Sequence, residues 1–162
     1  MKKKQNIVII VILIAIIAGI ISYNFSVEQT RQKGFIFGND LEEIQTEVKD
    51  LQTIFYSKQK QWEEGTLTKD ELFQHYEKHV SEFEKIILKY DELLPPESFQ
   101  SAVDLLKLSS QTQLDSDIQY IEWMKTGDES FKIRSDSQYQ QALEYEMTGL
   151  VEYYSAKTGV QP

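Results

Sequence analysis

Four long stretches of this chain carry apolar residues at alternating spacings of three and four positions, and this pattern constrains the fold most strongly. A period of about 3.6 residues places such side chains on one face of an α-helix. No stretch shows the sustained apolar and polar alternation of a strand. The pattern therefore predicts an all-α fold. The expected inward stripes are, in chain order, Leu41, Ile44, Val48, Leu51, Phe55 and Trp62; Leu72, Tyr76, Val80, Phe83, Ile87 and Tyr90; Phe99, Val103, Leu106, Leu114, Ile121 and Met124; and Phe131, Tyr139, Leu143, Met147, Leu150 and Tyr154.

Helix-starting residues accompany the first two stripes. Asp40 with Glu43, and Thr68 with Glu71, have the spacing of a capping box. In that motif the first side chain accepts a hydrogen bond from the backbone, and the second reaches back to the first residue. We therefore expect helices to begin at these two points.

Helix-ending residues follow the later stripes. Pro95 and Pro96 should end the second helix, because proline lacks a backbone donor and disfavours helix in the residue before it. Gly127 and Gly159 follow the third and fourth stripes, where glycine commonly ends a helix. Short connectors make successive helices antiparallel neighbours. The sequence predicts an elongated, antiparallel up-down four-helix bundle at residues 39–159.

The composition limits the functions that such a bundle could have. The chain has 162 residues and no cysteine, which excludes disulfides, thiol catalysis and cysteine-ligated zinc. Three of the 17 basic residues precede Glu28, so the remainder carries 14 basic and 26 acidic residues. Such an excess of negative charge repels phosphate backbones, and no nucleic-acid partner is expected. No phosphate loop, nucleophile elbow or calcium loop occurs, so we expect neither a cofactor nor an enzyme.

An uncharged apolar run precedes the bundle. Residues 6–25 contain no charged side chain and follow three consecutive lysines. About 20 apolar residues are enough to span a bilayer as a helix, and a basic flank favours the cytoplasmic side. The sequence therefore predicts a single-pass membrane protein with a cytoplasmic amino end and an anchor at residues 1–25. A connector with two glycines at residues 26–38 would then lead to an extracellular bundle.

A cleaved signal peptide is the alternative, because it too begins with basic residues and an apolar run. Cleavage requires small residues at the first and third positions before the cut. The best pair outside the apolar run is Ile20 with Ser22, and Ile20 is large. We therefore expect a retained anchor, with a secreted soluble bundle as the alternative. Ala15 and Gly19 have a spacing that lets two membrane helices approach closely, and they are candidates for a homodimer contact.

The two histidines are candidates for a metal site. His75 and His79 lie four residues apart, on one side of a helix, and Glu71 and Glu82 extend that side. The zinc-peptidase motif has glutamate directly after its first histidine, where this chain has Tyr76. The alternative is that both histidines are partly exposed residues at the edge of the apolar stripe.

Polar residues interrupt the third stripe. The face that carries Val103 and Ile121 also carries Ser110 and Asp117, with Gln113 beside them. A buried carboxylate is costly unless it is paired, so Asp117 should contact a tyrosine hydroxyl, a lysine or water. Ser110, Gln113 and Asp117 could line a small-ligand pocket between helices. The alternatives are a polar layer that sets the register of the helices, or a third helix that rolls outward for two turns.

The layout of a basic cytoplasmic end, one membrane helix and an outer helical bundle resembles the sensor half of bacterial helical-bundle receptors. Those receptors continue through a second membrane helix into a signalling domain, and no second run of this kind occurs up to Pro162. The resemblance implies a receptor role in which a partner supplies the output. We expect a non-enzymatic interaction module at the cell surface that binds another protein through an exposed apolar or aromatic patch. The alternative is a sensor-like bundle that binds a small ligand or a metal.

Overall fold

The computed structural model describes Gly34 and residues 36–159. Contacts divide the chain into two units, Met1–Gly38 and Asn39–Pro162. In the first unit, the described residues are all helical. The second unit contains the stripes and the candidate site residues of the bundle.

The membrane anchor predicted at residues 1–25, with its Ala15 and Gly19 pair, lies outside the described residues. Within the part of the chain that the structure describes, no helix combines the length and the apolar composition needed to cross a membrane. Most of the connector predicted at residues 26–38 also lies outside that part. Its two glycines, Gly34 and Gly38, are both helical.

Four helices make up the second unit. They are α1 (helical from residue 36 to residue 63, with 39–63 in this unit), α2 (Lys69–Glu92), α3 (Gln100–Thr126) and α4 (Glu129–Thr158), with a short 3-10 helix at Glu97–Phe99 before α3. The described residues contain no strand. The all-α prediction is therefore confirmed, and the four helices are compatible with a four-helix bundle.

Side-chain contacts show how the helices are arranged. Gln45 and Phe55 of α1 contact Tyr90 and Tyr76 of α2, so residues along the two helices meet in reverse order. The same reversed order relates α2 to α3, and α3 to α4. Consecutive helices are therefore antiparallel.

The predicted ends of α2, α3 and α4 agree with the structure. The Glu71 amide donates to Thr68 Oγ1 at 3.3 Å, and the Thr68 amide donates to Glu71 Oε2 at 2.9 Å, which completes the capping box. Gly127 and Gly159 end α3 and α4 with φ of 71° and 70°, a left-handed conformation that favours glycine. Asp40 does not cap α1, because residues before it are already helical.

The apolar core lies among α1, α2 and α3. It includes Leu41, Ile44, Leu51, Phe55, Leu72, Tyr76, Phe83, Tyr90, Val103, Leu106, Leu114 and Ile121, as the first three stripes predict. The fourth stripe is wrong in two places, since Met147 and Tyr154 are 68% and 58% exposed. The buried residues of α4 are instead Ser135, Ala142 and Gly149.

Small residues explain why α4 turns this face inward. The buried small residues of α4 recur every seven positions and face an equally spaced set on α3, Ala102, Ser109 and Ser116. Ser109 Oγ donates to the Ala142 carbonyl at 2.8 Å, and Ser116 Oγ donates to the Ser135 carbonyl at 2.9 Å. Side chains that donate directly to a neighbouring backbone require the two helices to lie close together. Close packing of small residues therefore holds α4 against α3 without a stripe of large apolar side chains.

Candidate functional site

Asp117 of α3 is at the centre of a buried polar network. Its Oδ2 accepts hydrogen bonds from His79 Nε2 at 2.8 Å and from Gln52 Nε2 at 2.5 Å, and its Oδ1 accepts one from Gln113 Nε2 at 3.1 Å. These four residues are called the Asp117 network below. The sequence predicted a buried and paired Asp117, and its partners are a histidine and two glutamines rather than the expected tyrosine or lysine. The three donors compensate for the removal of the carboxylate from water.

His79 is buried, with 4% of its surface exposed, and so the expectation of a partly exposed edge position is wrong. Its ring lies 4.5 Å from the Phe55 ring and 5.6 Å from the Phe83 ring, between centroids. His79 and Ile86 are the buried residues of α2 that complete the alternating three and four spacing. A prediction that allowed a histidine at an inward position of this pattern would have identified His79 as buried.

Three of the four residues predicted for a metal site have other partners. His79 binds Asp117, Glu71 belongs to the capping box, and Glu82 lies 3.6 Å from the ammonium of Lys78. His75 is half-buried. Within the described residues, no three histidine, aspartate or glutamate side chains are placed to hold a metal ion.

A second polar chain crosses the bundle about two to three helical turns away. Leu106 offers a backbone carbonyl, which can only accept, so Ser110 must donate to it at 3.1 Å. Tyr90 then donates to Ser110 Oγ at 3.0 Å, and Gln45 donates to the Tyr90 oxygen. The directions of all three hydrogen bonds therefore follow from the one carbonyl.

Burial keeps the nearby tyrosines neutral. Removal from water raises the pKa of Tyr90 to about 12, although its hydrogen bonds with Ser110 and Gln45 partly oppose the shift. Burial and the charge of Asp117 likewise raise the pKa of Tyr56 to about 12. Both hydroxyls remain protonated throughout the physiological range.

A cavity of about 300 Å³ lies between α1, α3 and α4. It is called the side cavity below. Ser110 and Gln113 line it, whereas Asp117, the third residue predicted for a ligand pocket, does not line it and accepts a hydrogen bond from Gln113. Lys49 and Glu146 also line it, and neither forms an ion pair with a described residue. The cavity is at the lower limit of the volumes usual for small-ligand sites.

The side of α4 that faces away from its buried small residues exposes apolar residues. They are called the α4 outer face and comprise Ile133, Met147, Val151 and Tyr154, exposed by 68%, 68%, 55% and 58%. Ile133, Met147 and Tyr154 are separated by multiples of seven positions, and Val151 lies between the last two at a spacing of four and three. This is the spacing of a seam that pairs with another helix.

The His79 and Asp117 pair has two of the groups found in hydrolytic triads, but it lacks the third. His79 Nδ1 is buried and has no hydrogen-bond partner among the described residues. No hydroxyl is therefore placed there to be activated as a nucleophile.

Sequence reasoning missed Gln45 and Gln52, the residues through which α1 joins the polar chain and the Asp117 network. The available signal was their spacing of seven, directly after the inward residues Ile44 and Leu51. Comparisons with models of known protein families, with curated proteins and with solved structures find no match to this chain.

Proposed function

We propose that this chain is a non-enzymatic protein interaction module, held outside the cell by a membrane anchor at residues 1–25. The α4 outer face supports this proposal, since it places four large apolar or aromatic side chains in water along one helix. Soluble surfaces rarely carry such a set without a binding role.

The occupant of the α4 outer face is a partner's amphipathic helix with basic flanks. Of the seam positions from Ile133 to Tyr154, only Glu144 is charged, so an apolar helix face can lie along it. Residues 135–156 contain four acidic and no basic side chains. Lysine or arginine beside the partner's apolar seam would complement this charge and guide the helix to its position.

A photo-crosslinking amino acid in place of Val151, in the full-length chain in membranes, tests the proposal. We expect one adduct whose crosslinked peptide is an apolar helical segment flanked by basic residues. Met147→Glu should reduce the yield about tenfold or more, because it places a charge in the apolar centre of the contact.

Leu88→Glu is the matched control, since Leu88 is 62% exposed on α2 and lies outside the α4 outer face. Its adduct yield should equal that of the wild type. Absence of an adduct, equal loss in both variants, or an acidic crosslinked segment would refute the proposal. An adduct of twice the mass of the chain would show that a second copy, rather than another protein, occupies the face.

A further inference from the structure

The side cavity and the α4 outer face adjoin each other on α4. Tyr139 and Leu143 line the side cavity, and Met147 of the α4 outer face lies one helical turn after Leu143. Residues four positions apart lie on the same side of a helix, so Leu143 and Met147 form one apolar strip. A helix that covers the α4 outer face therefore passes along the edge of the side cavity.

The α4 outer face is interrupted at the level of the side cavity. The three seam positions between Ile133 and Met147 are exposed and polar, namely Ser137, Gln140 and Glu144. With a rise of 1.5 Å per residue, the two apolar ends of this gap are about 21 Å apart. Tyr139 and Leu143 lie within the gap and line the side cavity. At this level, a partner helix therefore finds apolar surface of α4 in the side cavity rather than on the α4 outer face.

The opening, the size and the charges of the side cavity suit one neutral ring. Thr53 and Tyr56 line it and are exposed, so it opens to solvent. Its volume of about 300 Å³ is small for a free ligand but leaves room for one large side chain. Lys49 and Glu146 are its charged lining residues, and their opposite signs give no preference for a charged occupant. The rings of Tyr56 and Tyr139 favour a further aromatic ring, in a stacked or edge-to-face arrangement.

We propose that the partner helix inserts the side chain of a tryptophan or tyrosine into the side cavity. The ring packs against Leu143, Tyr56 and Tyr139, and its polar tip suits walls that mix apolar groups with hydroxyl and amide groups. An aromatic side chain that fills a pocket is the usual form of a binding hot spot. This inference rests on the protein interaction proposed above, and it adds α1 to the contact, because Val48 and Thr53 of α1 line the same cavity.

A substitution that blocks the mouth of the side cavity tests the proposal. Thr53→Trp places a large ring there, in the full-length chain in membranes that carries the photo-crosslinking amino acid in place of Val151. We expect the adduct yield to fall about tenfold or more, because the partner's ring is excluded while the α4 outer face is unchanged.

Thr46→Trp is the matched control. Thr46 and Thr53 are exposed residues of α1, seven positions apart, and each donates its hydroxyl hydrogen at 2.8 Å to the carbonyl four residues before it. Thr46 does not line the side cavity, so the adduct yield of Thr46→Trp should equal that of the wild type. Thermal unfolding of the two variants should agree, since both substitutions lie at exposed positions.

A diazirine analogue of leucine in place of Leu143 identifies the occupant directly. Its shape is close to that of leucine, so it leaves the side cavity open. We expect it to label a tryptophan or tyrosine in the same partner segment that is captured from position 151.

The outcomes separate this inference from the interaction on which it rests. If the wild-type chain gives no adduct from position 151, the interaction proposal fails, and this inference fails with it. If that adduct is lost in Met147→Glu but kept in Thr53→Trp, the interaction stands and the side cavity takes no part in it. Equal loss in Thr46→Trp and Thr53→Trp would also overturn the inference, because added bulk on α1 would then account for the effect. A diazirine label on any residue other than tryptophan or tyrosine would show that the occupant is not aromatic.

Discussion

At the scale of single residues, the buried hydroxyl of Tyr90 couples stability to alkaline pH. Its pKa is raised from 10.0 to about 12 by burial. Between these values the unfolded chain has released the proton and the folded chain keeps it. The free energy of unfolding should therefore fall as the pH rises from about 10 to about 12.

Tyr90→Phe removes this contribution. At pH 7 the variant should be about 1–2 kcal/mol less stable, because Gln45 and Ser110 lose a buried partner. The difference from the wild type should narrow as the pH rises above about 10. Urea unfolding at several pH values measures it. Tyr154→Phe, at an exposed position, should run parallel to the wild type, and a parallel curve for Tyr90→Phe would show that the prediction is wrong.

The Asp117 network shows what sequence could predict of single residues and what it could not. The interruption of an apolar stripe was enough to predict that Asp117 is buried and paired. Its partners could not be predicted, because they depend on the level at which Gln52 of α1 and His79 of α2 pass α3. The relative heights of the helices are set by the way in which whole helices pack together. The apolar pattern within a single helix carries no information about that packing.

At the scale of helices, α4 shows that the residues that determine where a helix forms differ from those that determine which face it turns inward. Its bounds were predicted closely, because the stripe and Gly159 mark them. Its inward face was not, because the prediction assumed that large apolar residues point to the core. Here the gain from bringing two backbones close together, through Ser109, Ser116 and the small residues of α4, exceeds the gain from burying Met147 and Tyr154.

Gly149→Val tests this close packing. A Cβ atom at position 149 would lie 3.0 Å from Leu106 Cγ and 3.2 Å from the Ala102 carbonyl oxygen. A branched side chain cannot fit without moving α4 away from α3, so we expect a loss of about 2–3 kcal/mol in the free energy of unfolding. Urea unfolding followed by circular dichroism measures the change.

Thr148→Val is the control for Gly149→Val. It introduces the same side chain one position away, at an exposed site on the same helix. Its effect should stay within about 0.5 kcal/mol, as is usual for surface positions. Equal stability of the two variants would mean that α3 and α4 do not pack closely at this level.

At the scale of the whole molecule, the fold class was predictable because four stripes, two glycine ends and one proline pair all indicate the same arrangement. The α4 outer face and the side cavity were less predictable. The α4 outer face exists because small residues take the inward side of α4, and the side cavity lies where α1, α3 and α4 meet. Both surfaces therefore follow from the way in which α4 packs, rather than from a motif in the chain.

The proposed anchor leads to a prediction about the amino end of the full-length protein. Ile20 is too large for the third position before a signal-peptide cut, so the chain isolated from membranes should keep its first 25 residues and resist extraction at alkaline pH. Ile20→Ala would place two small residues before Tyr23 and should permit cleavage there. Mass spectrometry distinguishes the two chains. A wild-type chain that begins at Tyr23 would instead make the bundle a secreted protein, with the α4 outer face and the side cavity free in solution.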